Sequence, residues 1–299
     1  MVHLCRFGRI ITMKDYILIT DSTCDLPKEY YEDRGIPCLC FPYSLNDTPY
    51  MDDFGQSLSY GDFYKGMRNG AIPATSTINV MMYTEAFTPF LEDKKDILYL
   101  CFSSALSSSY QNAKFAAMQL MEQYPNRRIR VVDTRRAAVA QGLLLLHAHK
   151  QYLKGLTLDE LVGWVDGFYN RVNAWFTVDD LSYLHRGGRI SAVAATAGKM
   201  LKIKPILTID PSGALINTEK INGRKKSIKR LAELYAEHRH EDPERPVLIC
   251  HGDCLEEAEK LKERLMEKHG AKQVEIHMVG PIIGSHVGPG ILGMSFLGK

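Results

Sequence analysis

Tyr16-Ile17-Leu18-Ile19-Thr20, running into Asp21-Ser22-Thr23-Cys24-Asp25-Leu26-Pro27, decides the fold class of this chain. A compact apolar run of this length reads as a buried strand, because a strand covered on both faces has no polar side to present. The Ser/Thr/Asp cluster after it supplies side-chain oxygens for a carboxyl-end turn and a helix N-cap, and Leu-Pro marks the step into the next element. The same unit recurs downstream. Residues 36–41 read as a second strand, followed by a polar turn around Asn46-Asp47 and a helix over 59–69. Residues 97–102 read as a buried strand that enters Ser103-Ser104-Ala105-Leu106-Ser107-Ser108-Ser109-Tyr110, with helix to about residue 124. A strand over 129–133 and a helix to 154 complete the series. Alternating strand and helix predict a mostly parallel sheet with helices on both faces.

From Thr157 the pattern changes. A helix carries Trp164 and Phe168, a strand follows over 174–178, and a short helix spans 180–189. Residues 204–210, the turn Pro211-Ser212-Gly213 and residues 214–218 predict a β-hairpin, which makes this half mixed rather than parallel. A basic helix from Arg224, a strand over 247–250, a helix over 255–269, and strands over 274–278 and 291–296 fill the remainder. The expected class is α/β with two α/β domains, 13–155 and 156–299. The first carries a mostly parallel sheet flanked by helices, the second a mixed sheet with helices.

The 299 residues are enough for two cores, and 45% hydrophobic with 24% charged residues describes an ordinary globular chain. A net charge of +2 gives no reason to expect nucleic acid, or a membrane surface beyond transient contact, as the main partner. Seven scattered cysteines do not form a disulfide framework and fit a reducing cytoplasm. Cys38 with Cys40 and Cys250 with Cys254 lack a second pair at zinc spacing and read as buried or partly exposed thiols, so no metal site is expected. The first twelve residues hold no apolar stretch long enough for a signal peptide, and Met13, which opens the first convincing strand, is the expected natural start.

Hydroxyls gather just after strands: Ser22 and Thr23, Thr75-Ser76-Thr77, and Ser103 through Ser109. In open α/β sheets ligands bind beyond the carboxyl ends of the strands, where helix N-termini favour anions. The clusters therefore suit a pocket for a small anionic head; equally, each suits helix caps and turns. Near the end, Gly280-Pro281-Ile282-Ile283-Gly284-Ser285-His286-Val287-Gly288-Pro289-Gly290 predicts a stiff loop presenting His286. The plain alternative is a connector with a surface histidine.

Several activities drop out. Gly288 to Gly293 matches G-x-G-x-x-G, but six residues remain after it, too few for the crossover helix of a dinucleotide fold. The chain has no P-loop, no G-x-S-x-G elbow and no H-E-x-x-H. His147 and His149, two apart on an apolar helix, cannot share a face and read as structural. Arg186-Gly187-Gly188-Arg189 presents two guanidinium groups around a turn, and Arg224-Lys225-Lys226 with Lys229 and Arg230 reads as a solvated face.

Taken together, Thr20–Pro27, Ala74-Thr75-Ser76-Thr77, Ser103–Gln111, Tyr183–Ile190, Lys204-Pro205-Ile206-Leu207 and Gly280–Gly290 resemble the DegV family, in register from Met13 to the C-terminus. The resemblance implies a non-enzymatic protein that holds a long-chain fatty acid in a tunnel between two α/β domains. It further implies presentation of the carboxylate to a separate, dihydroxyacetone-kinase-like fatty-acid kinase, which forms the acyl phosphate used in phospholipid synthesis. Carried over residue by residue, Thr75, Ser107 and His286 surround the carboxylate, with Ser76 behind them and Gly284 and Ser285 in the pocket loop. Arg186 and Arg189 engage the kinase. The family commonly reads Leu-Ser-Gly-Thr where this chain has Leu106-Ser107-Ser108-Ser109, so Ser108 is a substitute contact. No cofactor other than the bound acid is expected. The rival reading is a hydrolase or transferase with His286 as general base beside a serine; a lipid-sensing regulatory module is a third.

Overall fold

The structure, a computed structural model, describes residues 4–5, 14–190 and 202–299. Met13, the expected start, lies outside them. The apolar run forms strand β2 (Tyr16–Asp21), buried at every position. It is the centre of a five-stranded sheet ordered β1 (Leu4–Cys5), β3 (Cys38–Leu39), β2, β7 (Asp96–Cys101), β8 (Ile129–Asp133). β3, β2, β7 and β8 run parallel, and β1 is antiparallel at the edge. Alternate residues of β2 and β7 feed two cores. Ile17, Ile19, Ile97 and Tyr99 pack with α3 (Val80–Glu92) and α4 (Ser109–Gln123); Leu18, Leu98 and Leu100 pack with α5 (Ala138–Leu153) and α6 (Leu158–Phe168). The parallel sheet covered on both faces is as the alternation predicts.

The second sheet is mixed, in the order β11 (Leu215–Asn222), β10 (Ile203–Ile209), β9 (Val172–Thr177), β14 (Leu292–Leu297), β12 (Val247–His251), β13 (Val274–Met278). Only β12 and β13 pair in parallel. The predicted hairpin is β10–β11. Helices α8 (Arg224–His238) and α9 (Leu255–His269) cover one face. The other face receives α5, which packs on β9, β12 and β14 as well as on β2. A helix pressed between two sheets must be apolar all round, and residues 139–145 are buried without a break. α6 follows Gly155 but packs on β7 and β8, so the boundary drawn there falls ahead of a helix that the first sheet carries.

Three features depart from the sequence reading. Residues 36–41 hold only the two-residue β3, and a separate antiparallel sheet follows, ordered β5 (Thr48–Met51), β4 (Pro42–Leu45), β6 (Pro73–Thr75). Helix α3 was not anticipated, although Asn79 caps it by accepting from Met82 N at 2.9 Å and Tyr83, Ala86, Phe87, Phe90 and Leu91 repeat at helical spacing. The glycine- and proline-rich stretch near the end is no loop throughout: Pro281–Val287 is a helix, α10. Proline at the first helical position loses a hydrogen bond the helix would not have made, and Gly288, at φ 75°, caps the other end with its N–H donating to Gly284 O. Among the described residues no helix is long and apolar enough to cross a membrane.

Candidate functional site

The two sheets, α5 and α10 enclose a cavity of about 950 Å³, its open mouth included. Its wall is overwhelmingly apolar: Phe41, Phe102 and Leu106 from the first sheet's loops, Ala174 and Phe176 from β9, Ile209 and Leu215 from the hairpin, and Ile282, Ile283 and Val287 from α10. Small residues at the start of α5, Ala137 to Ala140, leave it room. Phe102, Leu106 and Ala137 pack with Ile209, Leu215 and Ile283, so the hairpin lies over the cavity as a wall. The tip is fastened by Ser103 Oγ, which donates to Gly213 O at 2.9 Å.

Polar groups collect at one end. Thr75, the last residue of β6, meets His286 of α10 with Oγ1 and Nε2 2.8 Å apart. Both line the cavity, with Ser76, Thr77, Ser107 and Arg189. Burial, reinforced by the Arg189 guanidinium, pushes the His286 imidazole down to about 4. At neutral pH the ring is therefore uncharged, with one donor and one acceptor nitrogen. Arg189 donates from Nε to Leu106 O at 3.0 Å and from a second nitrogen to Gly187 O. Ser107 Oγ donates to Ser109 Oγ at 3.0 Å and accepts from Ser109 N at 3.2 Å. A hydroxyl pair, a neutral imidazole and a guanidinium at the end of an apolar chamber suit an anionic head with a long apolar tail.

Not all of the expected residues gather here. Ser108 is exposed at the N-cap of α4 and does not line the cavity. Gly284 and Ser285 lie on the other side of α10, where Gly284 abuts Tyr64 and Ser285 Oγ donates to Pro281 O at 2.6 Å. A helix turns successive side chains by about 100°, so only Ile282, Ile283, His286 and Val287 reach the chamber. Arg186 is exposed beside the Tyr183 ring, whereas Arg189, expected at a partner surface with it, lines the mouth. Ser22 and Thr23 belong to the core: Ser22 Oγ accepts from Phe41 N, and Thr23 Oγ1 donates to Gln141. His147 and His149 are structural, packed on Phe168 and Tyr152. Arg224 and Arg230 are held by Glu257 and by Glu219 with Glu237 rather than free on a basic face. Cys24, Cys101, Cys250 and Cys254 are free thiols. Among the described residues no group of three or more His, Cys, Asp or Glu side chains is placed to hold a metal ion.

The profile of the DegV family, a family of uncharacterised proteins, matches residues 16–299. A DegV domain-containing protein of Clostridium perfringens is 41% identical over 286 residues, 96% of this chain and 98% of that one. This chain belongs to the DegV family. Among solved DegV structures, the fatty acid binding protein of Streptococcus agalactiae aligns with a TM-score of 0.84 at 28% identity, over 96% of this chain and 100% of its own. DegV of Bacillus subtilis, also a fatty acid binding protein, aligns with a TM-score of 0.80 at 28% identity, over 95% and 99%. The mixed α/β architecture is thus the DegV architecture. Within it, the general-base reading of His286 finds no support: Nε2 faces a threonine rather than a serine, and among the described residues no carboxylate is hydrogen-bonded or ion-paired to the ring.

Proposed function

We propose that this DegV protein binds a long-chain fatty acid, its tail in the chamber and its carboxylate at Thr75, His286, Ser107 and Arg189, with Ser76 behind them. The observation that carries the reading is the Thr75–His286 pair, with Ser107 and Arg189, in a mostly apolar cavity. Burying a methylene contributes about 0.8 kcal/mol, so some 15 of them contribute on the order of 12 kcal/mol before the entropy of binding is subtracted. A buried carboxylate needs donors, and those four side chains can supply them. That related DegV proteins are fatty acid binding proteins supports the same reading.

We further propose that the protein is not itself an enzyme but offers the carboxylate to a fatty-acid kinase, docking through exposed Arg186, in the cytoplasm. Palmitate and ATP with protein alone should give no product; added fatty-acid kinase should give acyl phosphate, lost on His286→Ala. Turnover of an ester or acyl substrate without kinase, abolished by the same substitution, would overturn this in favour of a hydrolase.

A further inference from the structure

Gly187, the first glycine of the Arg-Gly-Gly-Arg turn, lies at the end of α7 (Ser182–Arg186) with φ −71° and ψ −10°. Those are ordinary right-handed helical angles that any residue adopts, so the backbone gives no reason for glycine. The reason is space. A Cβ built on Gly187 would overlap His286 Nδ1 and stand 3.2 Å from Cε1 and 3.3 Å from Cγ. The imidazole thus meets Gly187 edge-on, Nδ1 foremost, and its far nitrogen, Nε2, is thereby carried to Thr75. The same α7–α10 contact is close a second time, where Gly288 abuts the ring of Tyr183. Gly188, next in the turn, differs: it has φ +71° and nothing within 4 Å of a Cβ, so its glycine serves the turn and not the histidine. Arg189 binds the Gly187 carbonyl and the Leu106 carbonyl, tying the turn to the residue before Ser107.

We propose that Gly187 is a positioning residue of the headgroup site, its bare Cα being the seat that sets the His286 ring against Thr75. The proposal rests on the fatty-acid reading above for its effect on binding, but not for the coupling between the two residues. The test is a double-mutant cycle of Gly187→Ala and His286→Ala, with thermal unfolding and binding of palmitate and of hexadecanol measured for each protein. Gly187→Ala should weaken palmitate at least 10-fold, the scale of one lost hydrogen bond to a charged group, while changing hexadecanol less than 2-fold, roughly the limit of surface effects. In the His286→Ala background the same change should be silent for both ligands. If Gly187→Ala alone does not fold, the double variant should, because the ring it collides with is gone. Gly188→Ala should lower Tm without altering the acid-to-alcohol preference. Additive effects in the cycle, equal loss for acid and alcohol, or no rescue of Tm by His286→Ala would overturn the proposal. Wild-type protein that does not prefer palmitate to hexadecanol would sink the fatty-acid reading instead, with the Tm cycle still reporting on Gly187.

Discussion

Asp52→Asn should stabilise the protein, and only above mildly acidic pH. Asp52 is 1% exposed; its Oδ1 accepts from Tyr60 OH at 2.8 Å, while Oδ2 is buried and unpartnered. Asp25, also buried, accepts from Gly280 N at 2.9 Å at the start of α10 and leaves its own Oδ2 unpartnered. The two carboxyls face one another across Gly280: a point one Cβ bond above that glycine is 3.0 Å from Asp25 Oδ1 and 3.3 Å from Asp52 Oδ2. Burial first, and the charges of Asp53 and Asp21 after it, raise Asp52 from 3.8 to about 7, against the Tyr60 hydrogen bond and the nearby Ser22 hydroxyl. A carboxyl whose folded value lies above its unfolded one favours folding most below the unfolded value, and that contribution is lost as pH rises through the folded value. The window is therefore roughly pH 4 to 7. A shift of about three pH units is worth at most about 4 kcal/mol, shared with the Asp25 titration coupled to it. Asparagine keeps the acceptor for Tyr60 and places an amide donor on the side facing Asp25. At pH 8 the variant should melt about 4–8 °C above wild type, and at pH 4 within about 2 °C of it. Differential scanning fluorimetry across that range reads the effect; a Tm gap that does not change with pH, or a variant less stable at pH 8, would refute the reasoning.

Thr75→Val keeps the shape of the side chain and removes the hydroxyl facing His286; palmitate affinity should fall about 10-fold with hexadecanol nearly unaffected, read by displacement of a fluorescent fatty acid. Ala140→Phe puts a ring into the chamber wall at the first turn of α5; the preferred chain should shorten by about three or four methylenes, roughly 2–3 kcal/mol of tail burial, measured over acids of graded length. Tyr64→Phe removes the hydroxyl that donates to Val279 O at 3.0 Å; stability should drop by about 1 kcal/mol, a Tm decrease of about 2 °C, with the acid-to-alcohol preference kept.

The parallel sheet was legible because β2 and β7 are buried on both faces and so carry uninterrupted apolar runs. The β10–β11 hairpin was legible through its Pro-Ser-Gly turn. What escaped is short or paired at long range. β6 spans three residues and pairs with β4, nearly thirty positions away, so no local period marks it. α10 was hidden by its own composition, since glycine and proline at helix ends look like a loop until the hydrogen bonds are placed. The same holds for the site. Thr75 and His286, 211 positions apart, were reached through family motifs and not through spacing. Ser108, Gly284 and Ser285 came with those motifs, but sequence alone gives no direction to a side chain. Arg189 was noticed for its charge; that it lines the chamber while Arg186 stays outside depends on the Gly187-Gly188 turn between them. The run from Ala137 to Ala140 gave one signal that was there to be read: small residues opening a largely apolar helix leave space beside it.

The most direct test of the fatty-acid claim is denaturing extraction of the purified protein, followed by mass spectrometry of the extract and by titration of the stripped protein with palmitate. The account predicts long-chain acids close to one per chain and saturable rebinding at the same stoichiometry, weakened on Thr75→Val. Protein that carries no acyl chain and takes up none when palmitate is added would contradict it.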